Sequence, residues 1–272
     1  MISHLPAPAR AGLLPVLVLA LLAGCRDAAE APETADADAA ETTAAGADRA
    51  VAKTGGGQTP PAELTDEQKE AITKIEEVGG IVEKDAAGRV VTVRLPDVSQ
   101  AGNETLTHAA AFPDLQRLYL EGPEFDDEGM ASVAKLTNLR VLGLQDTGVS
   151  GEGLKALEPL KNLAEINLRR TNVKDEGLAH LAKLKSLKSV NLTRTLVGDE
   201  GMKQVAELPK LEVLNIEQTN VTDTGLTYLK DGQPLRAINL VGSQYGDTAL
   251  ETLSRFGNLQ VIEFDDAQNI TD

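Results

Sequence analysis

From Leu115 onward the chain alternates between two hydrophobic spacings. Ile166 and Leu168 are apolar while Asn167 between them is polar, which is the period-two pattern of a short strand with one buried face. Farther along, apolar residues three or four positions apart predict one face of a short helix: Leu178, Leu181 and Leu184. The pattern therefore predicts a strand followed by a helix within one short segment.

This strand–helix segment recurs with a period of 24 residues. The stretch TNVKDEGLAHL, which begins at Thr171, returns as TNVTDTGLTYL at Thr219, and TLVGDEGMKQV lies between them at Thr195. Six full units begin at Leu115, Leu139, Leu163, Leu187, Leu211 and Leu235, and a truncated seventh begins at Leu259. A strand and a short helix cannot bury their apolar faces alone, so the units are expected to stack into a solenoid with parallel strands.

The unit LAEINLRRTNVKDEGLAHLAKLKS, which begins at Leu163, resembles a leucine-rich repeat. Within that family it is most similar to the ribonuclease-inhibitor-like repeats, which have a helical convex side. The resemblance covers residues 115–272 and implies an α/β fold, a leucine-rich-repeat solenoid shaped like a horseshoe. It implies a parallel sheet on the concave side, short helices on the convex side, and binding of other proteins through the concave sheet.

Three residue types recur at fixed places in the unit, and each predicts a structural role. The Thr column is expected to bond the turning backbone and the neighbouring coil: Thr147, Thr171, Thr195, Thr219 and Ser243. The Asp column is expected to cap the helix N-termini: Asp127, Asp175, Asp199, Asp223 and Asp247. The Val column is expected to fill the core: Val149, Val173, Val197 and Val221. A calcium-binding ladder is the alternative for the carboxylates, but a single acid per unit favours capping.

Residues 63–114 predict a cap over the first repeat. Thr65 and Gln68 have the spacing of a capping box and Gly79 is a typical stop signal, so a helix is expected between them. A hairpin is then expected, with strands at 81–84 and 89–95, and its second strand should begin the sheet. The segment 96–112 predicts a degenerate first coil, which completes the cover over the open end of the solenoid.

The N-terminus predicts export. Residues 1–24 have the pattern of a secretory signal peptide, with Arg10 ahead of a mostly apolar stretch. The sequence LAGC, which ends at Cys25, resembles the lipobox of bacterial lipoproteins, and this resemblance implies cleavage before Cys25 and lipidation of its sulfur. Residues 25–62 are rich in Ala and acids, which predicts a disordered tether. The protein is therefore expected on a bacterial membrane, at the periplasmic or cell-surface face.

Composition narrows the possible chemistry. The 272 residues carry a formal net charge of −16, which argues against nucleic-acid binding. One Cys and three His leave few groups for a disulfide framework, a metal site or acid–base chemistry. No catalytic constellation, phosphate loop or metal-ligand spacing is found in the sequence. The sequence therefore predicts a protein that is not an enzyme and has no cofactor.

The candidate binding residues lie on the concave face, at the third, fifth and seventh places of each unit. The fifth place holds Asn in four consecutive units, which predicts a ladder along the sheet: Asn167, Asn191, Asn215 and Asn239. These amides are expected either to bond to one another or to meet a ligand. Arg117 and Tyr119, in the first unit, are further candidates because Tyr and Arg are enriched at binding hot spots.

Basic residues cluster beside this ladder. Arg169, Arg170 and Arg194 fall in two adjacent units, although the chain as a whole is acidic. Guanidinium groups suit carboxylate recognition, so the cluster predicts a ligand with acidic groups. The alternative is that these arginines pair with Glu165 and Glu217 across neighbouring strands.

The leading interpretation is a non-catalytic, lipid-anchored scaffold that binds another protein or an envelope polymer. The alternative is a structural or spacer protein of the cell envelope with no specific ligand. The truncated last unit predicts an edge strand at 259–264, with Val261, Glu263 and Asp265 on the concave side. An uncovered last coil predicts weak self-association, or a partner, at this C-terminal edge.

Overall fold

The computed structural model describes residues 63–97, 100–242 and 245–264. These residues belong to one compact unit, Thr59–Asp272, which contains one continuous hydrophobic core. In the part of the chain that the structure describes, no helix is long and apolar enough to cross a membrane.

Several expectations fall on residues outside the described ranges. They are the signal peptide and tether, with the predicted lipidation site Cys25, and two residues of the repeat columns, Ser243 and Asp265. These expectations stay predictions. Residues 98–99 of the predicted first coil and residues 265–272 of the truncated seventh unit also lie outside the described ranges.

The cap forms as the sequence predicts. α1 spans Asp66–Glu77, and its capping box is complete, with the Gln68 N–H donating to Thr65 Oγ1 (3.2 Å) and the Thr65 N–H donating to Gln68 Oε1 (3.1 Å). Gly79, with a φ of 85°, follows the helix end. The other cap elements are β1 (Ile81–Lys84), β2 (Val90–Leu95) and α2 (Thr105–Ala109). β1 and β2 are antiparallel, and β2 begins the parallel part of the sheet.

Strands and short helices then alternate along the repeats. The strands are β3 (Arg117–Leu120), β4 (Val141–Gly143), β5 (Glu165–Asn167), β6 (Ser189–Asn191), β7 (Val213–Asn215), β8 (Ala237–Asn239) and β9 (Val261–Glu263). The helices are α3 (Met130–Val133), α4 (Gly151–Ala156), α5 (Asp175–Leu181), α6 (Asp199–Val205), α7 (Asp223–Thr227) and α8 (Asp247–Leu253). The sheet follows chain order from β1 to β9, and paired residues in successive repeats are 24 apart, as Ile166 and Val190 are. The predicted α/β solenoid is confirmed.

Each repeat strand contributes one apolar side chain to the core, and these side chains form a column across the sheet. The inward strand residues expose 2% of their surface or less: Leu118, Leu142, Ile166, Val190, Leu214 and Ile238. The Val column is buried as predicted, with exposures of 0–1% for Val149, Val173, Val197 and Val221. The Thr column bonds its own turn, since Thr171 Oγ1 donates to the Leu168 carbonyl at 2.7 Å, and the described hydroxyls of Thr147, Thr195 and Thr219 do the same. Their described bonds do not reach the neighbouring coil.

The Asp column does not cap its own helices, so that prediction is wrong. Asp199 is the first helical residue of α6, and the N-cap is Gly198. The carboxylate instead accepts from the next coil, with the Thr222 N–H bonded to one oxygen and the Thr222 hydroxyl to the other, both at 2.8 Å. Equivalent bonds join Asp127 to Ser150, Asp175 to Gly198 and Asp223 to Gly246. These four carboxylates therefore tie their coils to the coils that follow.

Glycines at the same place in the following coils lie against these carboxylates. A Cβ on Gly153, Gly201 or Gly225 would lie 2.4–2.6 Å from an oxygen of Asp127, Asp175 or Asp199. Ala249 takes this place in the last described helix, where Asp223 still accepts from the Gly246 N–H. The Asp column is interrupted at Gly151. There, a Cβ on Gly177 would lie 2.7 Å from the Gly151 Cα, so the backbones of α4 and α5 take up the space. The DEG and DTG motifs are therefore packing signals.

Asp199→Ala should lower the free energy of unfolding by about 1 kcal/mol, because two hydrogen bonds to the next coil are lost. Glu200→Ala is the matched control. Glu200 also carries a negative charge in the first turn of α6, but it bonds only Lys203 on the surface. Its substitution should change stability by less than about 0.5 kcal/mol in the same chemical unfolding experiment. Equal losses would mean that the charge, not the tie, is what matters.

The last described strand, β9, differs from the others. Ile262 exposes 38% of its surface, whereas Ile238 at the same place in β8 exposes 0%. No described coil packs on the outer side of β9, which explains this difference. Self-association at this edge stays a prediction.

Candidate functional site

In each short repeat strand the middle residue points into the core, and the residues on either side of it point to the concave face. In β5, Glu165 is exposed, Ile166 is buried and Asn167 is half-buried. The Asn ladder is in register, since Asn167, Asn191, Asn215 and Asn239 are successive Cα partners. The concave face therefore carries aligned rows of polar side chains.

The ladder amides do not bond to one another in the described residues, so that expectation is wrong. Each Asn Oδ1 accepts from the N–H two residues later, as Asn191 does from Thr193 at 2.9 Å. The corresponding pairs are Asn167 with Arg169, Asn215 with Glu217, and Asn239 with Val241. These bonds hold the chain where it leaves each strand. Asn215 and Asn239 are each only 5% exposed, so the ladder is largely structural.

The residue in the eighth place of each described repeat turns the chain in the left-handed region. Asp146, Arg170, Arg194 and Gln218 have φ values of 51–59°, which side chains other than glycine rarely adopt. Their side chains bond along this column: Arg170 Nη1 lies 3.4 Å from Asp146 Oδ1, and Arg194 Nε donates to Gln218 Oε1 at 2.6 Å. Arg170 and Arg194 were predicted to form one cluster with Arg169, but they lie in the eighth-place row and Arg169 lies in the seventh-place row.

Arg169 lies in the seventh place and is 7% exposed. Its Nε is buried without a hydrogen-bond partner, and among the described residues its guanidinium forms no ion pair. Burial lowers the pKa of this guanidinium, the positive charges of Arg170 and Arg194 lower it further, and Glu217 raises it. Glu165 and Glu217 therefore do not pair with Arg169 as the alternative expectation had it.

The first repeats carry a separate polar group. The Arg94 guanidinium lies 4.3 Å from the ring centroid of Tyr119, and that ring crosses over Gly143, where a Cβ would lie 2.9 Å from Tyr119 Cδ1. Arg117 Nε donates to Thr92 Oγ1 at 3.0 Å. The structure thus brings Tyr119 and Arg117 together with the cap strand β2, and away from the arginine cluster.

A seventh-place network was missed by the sequence analysis. Gln145 donates to Glu121 Oε1 at 2.6 Å, and Asn167 Nδ2 donates to Gln145 Oε1 at 3.1 Å. Burial and the nearby charges of Asp146 and Asp97 raise the pKa of Glu121. Reading the seventh-place column in sequence would have found Glu121 and Gln145 beside Arg169.

The histidines and cavities lie elsewhere. Lys183 Nζ lies 2.6 Å from Glu158 Oε1, and His180 Nδ1 lies 2.8 Å from the same oxygen. These bonds lower the pKa of Glu158 to about 2. His180 also lines a cavity of about 510 Å³ beside α4 and α5, and His108 lines one of about 620 Å³ in the cap. In the described ranges, no cluster of three or more His, Cys, Asp or Glu side chains could hold a metal ion.

Comparisons with known proteins support the leucine-rich-repeat fold. A family profile described as Leucine Rich repeat matches residues 135–157 and 207–230, and the two matches start 72 residues apart (207 − 135), which is three periods of 24. The fold is a leucine-rich-repeat solenoid. The crystal structure of internalin C2 from Listeria monocytogenes str. 4b F2365 superposes with a TM-score of 0.51 at 17% identity, covering 72% of this chain and 92% of that chain.

A second internalin gives a weaker superposition. Internalin F from the same Listeria monocytogenes strain has a TM-score of 0.44 at 17% identity, covering 75% of this chain and 70% of that chain. A search of curated protein sequences found no significant match. At these identities the structural likeness concerns the solenoid fold alone.

Proposed function

We propose that this leucine-rich-repeat protein is a non-catalytic, lipid-anchored scaffold that binds another protein, or an envelope polymer, through its concave sheet. The solenoid fold is consistent with a role in protein interaction. Its assignment to the ribonuclease-inhibitor-like subclass, and its division into signal peptide, tether, cap and repeats, are part of the same proposal. The alternative, a spacer of the cell envelope, requires no specific ligand.

The observation that carries this proposal is the ordered polar surface of the concave face. Asn167 and Asn191 are half-buried, and each is fixed by a bond from the backbone N–H two residues later. Polar groups held in advance of binding lose little conformational entropy when a partner arrives. A partner can reach this half-buried part of the row, which favours the binding role over a spacer.

Capture of a partner tests the proposal. Residues 59–272, the compact unit, are immobilised and exposed to an extract of the native cell envelope. The wild-type chain should retain a partner, and the double charge reversal Arg170→Glu/Arg194→Glu should abolish retention while leaving the melting curve within a few degrees. The control is Lys135→Glu/Lys161→Glu. It makes the same change of charge at two exposed residues that precede β4 and β5 in the chain and do not belong to a strand. Retention lost equally in both variants, or retained in both, would contradict a concave site.

Lipid anchoring has its own test. Mass spectrometry of the mature N-terminus should find an acylated Cys25, because the sequence LAGC resembles a lipobox. The acyl chains would then hold the protein on the membrane, since each buried CH₂ contributes ~0.8 kcal/mol. Cys25→Ala should release the protein into the soluble fraction, with the wild-type chain fractionated in parallel. A variant that still sediments with membranes would rule out the anchor and leave the concave-face proposal standing.

A further inference from the structure

The backbone of Arg169 is held in place by hydrogen bonds on both sides. The Arg169 N–H donates to Asn167 Oδ1 at 3.0 Å, and its carbonyl accepts from the Asp146 N–H at 2.8 Å. Leu168, before it, is fully buried, and Arg170, after it, turns in the left-handed region. The backbone of Arg169 is therefore held on both sides, two residues after the carboxyl end of β5, in the seventh-place row.

This guanidinium differs from the other concave arginines. Arg117 bonds Thr92, Arg170 pairs with Asp146, and Arg194 bonds Gln218. Arg169 is the more buried side chain, at 7% exposed, yet within the described ranges its Nε has no partner. A charge removed from water without a partner is costly, because neither solvent nor protein replaces the lost hydrogen bonds. The fold maintains a charged donor here that it does not itself use.

We infer that Arg169 is the anchor of a carboxylate-binding site, which takes an Asp or Glu side chain of a partner protein; this inference rests on the proposed function. The planar guanidinium offers two parallel N–H donors, which match the two oxygens of a carboxylate. Binding neutralises a charge that lies close to two others, Arg170 and Arg194. The free energy gained at this position is therefore largest for an anion.

The surrounding acids select a single negative charge. The negative charge of Glu217 acts on Arg169 and raises its pKa, and Asp146 forms an ion pair with Arg170. Glu121 lies in the same seventh-place row as Arg169, two repeats earlier. The chain as a whole has a net charge of −16. A dianionic phosphate or a polyanionic envelope polymer would meet these carboxylates, whereas a lone Asp or Glu on a protein surface brings one charge to one donor.

Arginine-labelled nuclear magnetic resonance tests the site without a partner. In residues 59–272 labelled with ¹⁵N-arginine, the Nε–H signal of Arg169 is assigned by its disappearance in Arg169→Lys. Sodium acetate should move this signal downfield in a saturable way, while sodium chloride at equal ionic strength should not. The same titration of Arg140→Gln, which removes an exposed arginine elsewhere, should match the wild type. A response to acetate no larger than that to chloride, or a response to inorganic phosphate alone, would overturn the inference.

Capture from the envelope extract provides the second measurement. If a protein partner is retained, Arg169→Gln should weaken its binding at least about thirtyfold, and Arg140→Gln should leave it within about twofold. Undiminished binding by Arg169→Gln would overturn the inference and leave the scaffold function intact. Retention of an envelope polymer through Arg169 would overturn the protein assignment. If the wild-type chain retains nothing, the scaffold proposal fails, and the acetate titration alone decides whether Arg169 binds carboxylates.

Discussion

Leu192→Ala should lower the free energy of unfolding by about 2–5 kcal/mol, because it removes a fully buried side chain and leaves a cavity. Leu192 exposes 0% of its surface and lies directly after β6, with coils stacked on both sides. Those coils cannot collapse into the space without disturbing the parallel strand pairing. Urea unfolding followed by circular dichroism gives the measurement.

Leu196→Ala is the matched control, since it makes the same chemical change four residues away. Leu196 is 55% exposed, so its truncation should cost less than about 0.5 kcal/mol. A loss below about 1 kcal/mol at Leu192 would contradict the assigned register, because the outward places of a strand contribute little burial energy.

The repeat explains why the core could be predicted from sequence. One residue assigned to the inside, such as Ile166, assigns its equivalents in every coil, since a shift of one place would expose the whole column. The capping box of α1 was predictable for a different reason: Thr65 and Gln68 interact within one turn, so their spacing alone determines the contact. Local geometry and strict periodicity are both visible in a sequence.

Contacts between coils were harder to predict. Asp199 lies at the start of its helix, so its sequence position is compatible with capping. Whether its carboxylate instead reaches Thr222 depends on how closely two coils stack, which the glycine at 225 permits. The Asn amides follow the same rule: their alignment was predicted, but their bonding to the backbone N–H two residues later depends on the turn after each strand.

The candidate site shows the same limit. Arg169 and Arg170 are adjacent and chemically identical in sequence. One is 7% exposed with an unpartnered Nε, and the other has a 38% exposed side chain that pairs with Asp146. The difference arises from the left-handed turn at Arg170. Such a turn is readily predicted from sequence only where the residue is glycine, because other residues rarely adopt this conformation. Only the fold distinguishes the buried arginine from its neighbour.

Arg169→Met should raise the free energy of unfolding by about 1–3 kcal/mol, the opposite sign from most substitutions of buried residues. Methionine keeps an unbranched stem that can pack where the arginine stem packs, but it has no charge to desolvate. The nearby charges of Arg170 and Arg194 add to the expected gain, because they repel Arg169 in the folded state. Urea unfolding of the two chains side by side measures the difference.

The pH dependence of this gain follows from the direction of the pKa shift. The folded-state pKa of Arg169 is lowered from its usual value, so its unfavourable contribution disappears only as pH rises through that folded pKa. A guanidinium stays charged throughout the physiological range, so the stabilisation by Arg169→Met should be constant between about pH 6 and pH 9. A gain that changed across this interval would point to a different titrating group.

Arg170→Met separates burial from charge. It removes the same charge from the next residue, but the Arg170 side chain is 38% exposed and paired with Asp146, so stability should change by less than about 1 kcal/mol. If Arg169→Met instead lowered stability by more than about 1 kcal/mol, the guanidinium would be serving the fold and not a ligand. A stabilised variant that has also lost acetate binding would show that the folded chain sacrifices stability at this position to keep a donor available for its partner.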